Sequence, residues 1–188
     1  ALDRATSVYL PDRVIPMLPE IISNSLASLQ PNKRRYAKTV LIEFDADGVV
    51  LHTDFFASFI RNQQRLTYEA VDEYLDQPTK SQLDETIQTL LRDMHQLAMV
   101  LRERRMGHGA IELNLPEVKI ELDKTGKVKG AHLTEYTDSH KVIEEFMLAA
   151  NQAVATFLTQ IGVPFLRRVH APPQGIKLKR LTDFIKAI

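Results

Sequence analysis

The fold class of this chain is indicated by the stretch Arg35–Gly48, which reads Arg-Tyr-Ala-Lys-Thr-Val-Leu-Ile-Glu-Phe-Asp-Ala-Asp-Gly. Its first ten residues are rich in β-branched and aromatic side chains, which are typical of a strand. The Asp-Gly pair that follows favours a tight turn, and a second β-rich run extends from Val49 to about Arg65. This part of the sequence therefore predicts a long antiparallel hairpin.

Helical periodicity and turn residues predict the remaining elements around this hairpin. The predicted helices span residues 19–29, 67–75, 81–105, 139–161 and 176–188, and a second hairpin spans residues 117–136. Short strands are predicted at residues 6–10 and 164–170, and the proline-rich residues 11–16 predict an extended loop. The expected fold class is α+β, a mixed or antiparallel sheet with hairpins packed by long α-helices.

Two of the predicted helices carry specific expectations about burial. The helix at 139–161 has a wide apolar arc, which predicts that most of its surface is buried. The helix at 81–105 ends in Arg102, Arg104 and Arg105, where cations complement the helix dipole on a solvated face.

Length and composition restrict the class of protein. The chain has 188 residues, of which 44% are hydrophobic and 26% are charged, as in an ordinary globular domain. No apolar run approaches the roughly 18–20 residues that span a bilayer, so no membrane partner is expected. The chain has no cysteine, which excludes thiol catalysis and a disulfide scaffold and agrees with a cytoplasmic location. The formal net charge is zero, although both ends of the chain are basic and its middle is acidic.

No complete catalytic centre can be recognised from local motifs. The six histidines are not spaced as zinc ligands, and the seven glycines form neither a Walker loop nor a dinucleotide-binding fingerprint. The Asp-Ala-Asp-Gly turn lacks the closing glutamate of a calcium loop. The sequence therefore predicts no metal site and no bound cofactor within these residues.

Two groups of residues are candidates for binding. His140, Glu144 and Asn151 fall within about 40° of one another on the helix at 139–161, where they could hold a sugar hydroxyl or a phosphate. The alternative is a capped, partly buried polar seam. Tyr68 follows Arg65 closely, and a tyrosine among basic residues is what stacking on a single-stranded base requires, although tyrosines are also common in cores.

A longer series of residues resembles a known family. The series begins with Thr6-Ser7-Val8-Tyr9-Leu10-Pro11-Asp12-Arg13-Val14-Ile15-Pro16-Met17-Leu18-Pro19-Glu20 and continues with Arg65-Leu66-Thr67-Tyr68. It ends with Asp138-x-His140-Lys141-x-Ile143-Glu144-Glu145-Phe146-Met147-x-x-Ala150-Asn151 and Arg168-Val169-His170-x-Pro172-Pro173. In this order the blocks resemble the catalytic (RNB) domain of the ribonuclease II and ribonuclease R family.

The resemblance implies a processive 3′→5′ exoribonuclease that releases nucleoside 5′-monophosphates from single-stranded RNA. Residues 1–188 are then expected to be a central fragment of one catalytic domain. The family's magnesium-binding aspartates would lie upstream of the fragment and its Thr-Ser-Pro-Ile-Arg-Arg-Tyr block downstream. The fragment alone is expected to be inactive and to self-associate. The alternative is a non-catalytic RNA-binding or scaffolding module derived from the same domain.

Individual roles also follow from the resemblance. Tyr9 matches the family tyrosine that stacks on the 3′-terminal region of the RNA, and Tyr68 and Glu144 match the pair implicated in telling ribose from deoxyribose. Four further residues lie in matched motifs without an assigned role: Arg65, His140, Asn151 and Arg168.

Overall fold

The computed structural model describes residues 4–112 and 117–187, and its fold class is α+β. Its elements are β1 (Val8–Tyr9), β2 (Val14–Ile15), β3 (Arg34–Phe44), β4 (Val50–Arg61), α1 (Tyr68–Asp76), α2 (Glu85–Gly107), β5 (Glu117–Leu122), β6 (Val128–Thr134), α3 (Asp138–Gln160) and α4 (Gly175–Ala187). A π-helical turn lies at Ile21–Leu26 and a 3₁₀ turn at Pro78–Lys80.

The chain divides into two compact units. The first, Ala1–Val154, contains the six described strands, α1, α2 and most of α3, and it holds Tyr68, Tyr136, His140 and Glu144, which form the cluster described below. The second, Ala155–Ile188, contains the end of α3 and the basic helix α4. The assignment of residues 1–188 to one domain stays a prediction.

The six described strands form three antiparallel pairs, which confirms both predicted hairpins. In the longest pair, β3 runs beside β4 with Arg34 opposite Arg61 and Phe44 opposite Val50, and a register shift follows Glu43. The third pair, β5 with β6, begins with Glu117 opposite Thr134.

Both long hairpins close with the same type of turn. The Asp45 carboxylate accepts hydrogen bonds from the backbone N–H groups of Asp47 and Val49, at 3.0 and 2.8 Å. The Asp123 carboxylate accepts from Thr125 and Lys127 in the same way. Each turn then places a glycine at positive φ, which explains the Gly that both sequences carry there.

Side-chain caps decide where two helices begin. The Thr67 hydroxyl accepts from the Ala70 N–H, so α1 begins directly after the predicted cap. Asp84 caps α2 by accepting from the Thr86 N–H at 2.9 Å. The helix predicted from residue 81 therefore begins four residues later, at Glu85, because Asp84 is its N-cap.

Three local predictions differ from the structure. Val14–Ile15 lies in the predicted loop but pairs with β1, and the helix predicted for residues 19–29 is reduced to the π-helical turn. The predicted strand at 164–170 is irregular. A strand needs a partner for its backbone hydrogen bonds, and none of the described strands pairs with these residues.

The apolar arc of α3 is largely exposed, so the prediction that most of it is buried is wrong. Val142 is buried, whereas Ile143, Met147 and Val154 are exposed. The buried apolar residues of the described chain are Tyr74, Leu91, Ala98 and Val142, on the first three helices. These helices therefore meet at a small apolar centre, and polar contacts carry much of their mutual positioning.

The turn of the β3–β4 hairpin packs against α2, and this contact yields a test. A Cβ at Gly48 would lie 3.2 Å from Val100 Cγ1 and 3.3 Å from Leu101 Cδ2, whereas one at Gly126 would meet nothing within 4 Å. Both residues have positive φ, so Ala at either should cost about 1–2 kcal/mol. We expect Gly48→Ala to lower the free energy of unfolding by about 1 kcal/mol more than Gly126→Ala in urea titrations. Equal losses would show that the turn does not press on α2.

Candidate functional site

A buried ion pair joins the end of α2 to the second turn of α3. The Glu145 side chain is only 3% exposed, and the Arg105 guanidinium donates to it through Nε, at 3.2 Å, and Nη2, at 2.5 Å. Arg102 adds a longer contact of 3.5 Å from Nη1 to the same Oε1 atom. Because loss of the Arg105 guanidinium would leave the buried Glu145 carboxylate with only the longer contact from Arg102, this pair constrains how α3 lies against α2.

Further polar contacts hold the first turn of α3. The Asp72 carboxylate on α1 accepts from the Ser139 N–H at 3.1 Å, and His95 on α2 lies 3.3 Å from the Asp138 carboxylate. Lys141 also donates to Asp138, at 2.7 Å. The Lys141 hydrogen bond, with a smaller contribution from His95, lowers the pKa of Asp138. The N-terminus of α3 is thus tied to both α1 and α2.

Glu144 lies next to the buried pair, and its side chain is more exposed to solvent than that of Glu145. The Tyr136 hydroxyl donates to its Oε2 atom at 2.6 Å, and guanidinium nitrogens of Arg102 and Arg105 lie 3.6 and 3.7 Å from its two oxygens. Burial, together with the Glu144 contact, raises the pKa of Tyr136 to about 12. Tyr136 therefore keeps its proton, and the Glu144 carboxylate, which is 31% exposed, acts as an acceptor.

A stack of rings extends from Glu144 to α1. The rings of Tyr68 and His140 are stacked, with centroids 3.9 Å apart and planes 14° apart. The centroid of the Tyr136 ring lies 5.6 Å from that of His140, and the two planes are inclined by 41°. His140 Nδ1 is 2.7 Å from the Thr137 hydroxyl, which limits rotation of the imidazole. One side of the Tyr68 ring is covered by His140, and Tyr68 remains 42% exposed.

The structure brings three of the predicted residues together and leaves the others outside this group. Tyr68, His140 and Glu144 form one cluster with Tyr136. Within the described part of the first unit, no hydrogen bond, ion pair or ring contact joins that cluster to the exposed residues Tyr9 on β1, Arg65 before α1 and Asn151 on α3. Arg168 is exposed and belongs to the second unit.

Sequence reasoning missed Tyr136 and misread two arginines. Arg104 is exposed, as expected, but Arg102 and Arg105 are 13% and 27% exposed and face α3, so the predicted solvated face is wrong for them. The heptad spacing indicates the inward direction of Arg105, because Leu91 and Ala98 are buried on α2 and Arg105 follows Ala98 by seven residues. Nothing in the local pattern marked Tyr136, because its contact with Glu144 depends on how residues 135–137 enter α3.

The described residues do not include a metal centre or a membrane span. No group of three or more His, Asp or Glu side chains in 4–112 and 117–187 is arranged to hold a metal ion. No described helix combines the length and apolar character needed to cross a bilayer. The polar groups of the Glu144 cluster can instead accept hydrogen bonds from a neutral hydroxyl and donate hydrogen bonds to it, or they can contact a phosphate.

Comparison with known proteins places this chain in a family. Residues 1–188 match the RNB domain. The chain belongs to the RNB domain family. It is 39% identical to ribonuclease R of Thermotoga maritima and 35% identical to that of Aquifex aeolicus, in each case over 100% of this chain and 27% of the relative. The chain thus spans about a quarter of the length of these curated relatives.

Solved structures of RNB proteins have the same fold. Mycoplasma genitalium RNase R in complex with ribose methylated single-stranded RNA superposes with a TM-score of 0.92 at 30% identity, covering 97% of this chain and 28% of that one. Yeast Ssd1, described as a pseudonuclease, has a TM-score of 0.70 at 22% identity, covers 97% of this chain and 22% of its own, and shows the fold alone. The RNB fold therefore accounts for the α+β arrangement around the Glu144 cluster.

The buried pair of the RNB domain can be tested by comparing two neighbouring arginines. Arg105→Ala removes the partner of the buried Glu145 and should lower the free energy of unfolding by about 3–5 kcal/mol. Arg104→Ala removes an exposed cation from the same helix end and should cost less than about 1 kcal/mol. Urea unfolding followed by circular dichroism measures both. Similar losses for the two variants would contradict the role of the pair.

Proposed function

We propose that this chain forms the ribose-reading part of the catalytic domain of a processive 3′→5′ exoribonuclease that hydrolyses single-stranded RNA to nucleoside 5′-monophosphates. The observation that carries the proposal is the cluster of Tyr68, His140, Tyr136 and Glu144, in which a carboxyl acceptor lies close to a partly exposed aromatic ring. Support also comes from RNB relatives that are ribonucleases R, among them a structure with single-stranded RNA and another with double-stranded RNA.

The chemistry of ribose reading fits the contacts of Glu144. A 2′-hydroxyl is both a donor and an acceptor, and it is the group by which a protein tells RNA from DNA. The Glu144 carboxylate can accept a hydrogen bond from the hydroxyl, while Tyr136 and the two arginines hold that carboxylate in place. Deoxyribose would leave the carboxylate without this donor in a partly desolvated position, which costs binding free energy.

Tyr68 is proposed to contact the same nucleotide. His140 covers one side of its ring, so the remaining exposed surface is available to a base or a sugar. Among the described residues, the Tyr68 hydroxyl has no hydrogen-bond partner and is free to donate to RNA. We propose that His140 acts here as a positioning residue.

The exposed candidates are proposed to grip RNA without reading ribose. Tyr9 is 78% exposed and offers a ring face on which the 3′-terminal region can stack. Arg65 and Arg168 are exposed cations suited to phosphates, and Asn151 carries an exposed amide.

Magnesium is proposed as the cofactor of the whole enzyme, where metal ions would stabilise the attacking and leaving oxygens of the phosphodiester. The described residues do not fit this role, because they contain no group of acidic or histidine side chains arranged around a metal position. We therefore assign no metal-dependent step to them. The cytoplasmic location and the self-association expected of this chain stay predictions.

A non-catalytic RNA-binding or scaffolding module is the alternative function. Both functions would use the cluster around Glu144 to bind RNA, so binding alone does not separate them. The coding sequence upstream of residue 1 does: a run of the form Asp-x-x-x-x-x-Asp-x-Asp-Asp supports the enzyme, and its absence from the whole protein supports the module.

Ribose reading predicts that Glu144→Ala lowers the preference of this chain for RNA. Loss of the carboxylate removes the penalty for an unpaired acceptor, so the ratio of RNA to DNA affinity should fall roughly ten-fold. Tyr68→Phe should act in the same direction, whereas Tyr9→Ala should weaken RNA and DNA equally by removing a stacking face. Fluorescence anisotropy with labelled RNA and DNA oligomers of one sequence measures the ratio.

Glu103→Ala is the matched control, because it removes one exposed carboxylate from α2 and changes the net charge by the same amount. It should strengthen or leave unchanged the binding of both oligomers without altering their ratio. The proposal fails if Glu144→Ala keeps the wild-type ratio, or if Tyr9→Ala is the variant that loses it.

Hydrolysis by the 188-residue chain alone is predicted to be absent. The purified chain is incubated with end-labelled single-stranded RNA and magnesium or manganese, and released mononucleotides are separated by thin-layer chromatography. We expect no release above that of a reaction from which the chain is omitted. Steady release that grows with chain concentration would show that these residues contain a complete hydrolytic site.

A further inference from the structure

A second exposed group of aromatic and basic side chains lies on the β3–β4 hairpin. Arg34 pairs with Arg61 across the two strands, Tyr36 with Phe59, and Lys38 with Ala57. Residues directly opposite each other project to the same side of a hairpin, and so do residues two apart along a strand. The five side chains Arg34, Tyr36, Lys38, Phe59 and Arg61 therefore share one face, which we call the hairpin patch. All five are exposed.

The centre of the hairpin patch is an aromatic pair. Tyr36 is 89% exposed and Phe59 is 55% exposed, and their ring centroids lie 5.3 Å apart with planes inclined by 50°. The Arg34 guanidinium carbon lies 5.8 Å from the Phe59 centroid, in the range of a cation–π contact. Two adjacent exposed rings provide a face on which a nucleobase can stack.

The cations of the hairpin patch lack acidic partners. Among the described residues, Arg34, Lys38 and Arg61 form no ion pair with a carboxylate, and the one side-chain hydrogen bond of Arg61 is a 3.5 Å contact with Asn32. Arg34 and Arg61 lie directly opposite each other, and like charges in that position destabilise a strand pair. A polyanion bound across the patch would relieve this repulsion.

Arg35, on the other face of β3, has a structural role that contrasts with that of the exposed Arg34. Its guanidinium donates to the backbone carbonyl oxygens of Ser25 and Ser28 and to the Gln30 side chain, and it is partly buried. The guanidinium of Arg34 has no such acceptor among the described residues. The two neighbouring arginines therefore differ in role: Arg35 joins the hairpin to the π-helical turn, and Arg34 faces solvent.

We propose that the hairpin patch is a second binding site for single-stranded RNA, in which one base stacks on Tyr36 and Phe59 and the cations contact phosphates. These contacts read neither sequence nor ribose, and they do not depend on the role of Glu144. The chain runs from Arg61 through the exposed Arg65 to Tyr68, a separation of at most about 25 Å. One strand of RNA can therefore reach both sites.

The test measures binding of fluorescein-labelled oligouridylate and its deoxy counterpart to the 188-residue chain over a series of salt concentrations. Tyr36→Ala and Phe59→Ala should each weaken both oligomers by about five- to ten-fold through the lost stacking face. The double variant Arg34→Gln/Arg61→Gln should reduce the slope of log affinity against log salt by about 1.4, as two lost phosphate contacts on a single strand require. The ratio of RNA to DNA affinity should stay at the wild-type value in all three.

Matched controls come from other exposed surfaces of the chain. Leu41→Ala removes a large exposed side chain from the opposite face of β3, and Lys119→Gln/Lys129→Gln removes two exposed cations from the β5–β6 hairpin. The proposal is overturned if wild type binds neither oligomer, if the patch variants weaken binding no more than these controls, or if only the charge variant has an effect. It is also overturned if sedimentation shows that Tyr36→Ala dissociates a dimer while RNA affinity is unchanged, since a second copy would then occupy the patch.

The two RNA sites fail in distinguishable ways. If Glu144→Ala loses the preference for RNA and the patch variants bind both oligomers as the wild type does, the Glu144 site is supported and the proposal for the hairpin patch is contradicted. If the patch variants bind both oligomers more weakly and Glu144→Ala keeps the wild-type ratio of RNA to DNA affinity, the hairpin patch is supported and ribose reading at Glu144 is contradicted.

Discussion

The buried Arg105–Glu145 ion pair is the contact on which the candidate site depends. Glu145 is nearly inaccessible to water, so its charge requires the forked guanidinium beside it. Because successive helical residues are rotated by about 100°, anchoring Glu145 against α2 also sets the direction of Glu144 and, one turn earlier, of His140. A hydrophobic pair could stabilise this contact equally well, but it would not hold the guanidinium that also lies beside Glu144.

Local signals in the sequence were sufficient to predict much of the fold. The Asp-Gly pair predicted the first long hairpin, the turn residues 123–126 predicted the second, and Thr67 marked the start of α1, because these features depend on residues close together in the chain. The burial of α3 and the strand at 164–170 were not predictable in this way. Burial depends on which elements cover a helix, and a strand depends on a distant partner. The heptad spacing from Leu91 through Ala98 indicates the inward direction of Arg105, whereas its contact with Glu145 depends on how α3 lies against α2.

The candidate site shows the same division between local and tertiary information. Tyr68, His140 and Glu144 came from motifs and from the family resemblance, and the structure places them in one cluster. Tyr136, which donates to Glu144, and the exposed pair of Tyr36 and Phe59 come from geometry alone. Family membership supports the proposal that the Glu144 cluster reads ribose. The proposal for the hairpin patch rests on exposure, register and unpaired charge.

The central claim is that the buried pair positions Glu144 to read ribose, and a cycle of variants tests it most directly. Arg105→Lys keeps the charge but loses the two-pronged contact with Glu145. Its ratio of RNA to DNA affinity, measured on protein shown to be folded by circular dichroism, should fall most of the way to that of Glu144→Ala. Arg105→Lys/Glu144→Ala should fall no further, because both changes remove the same positioned carboxylate. A folded Arg105→Lys variant with the wild-type ratio would contradict the account, as would a double variant whose loss is the product of the two single losses.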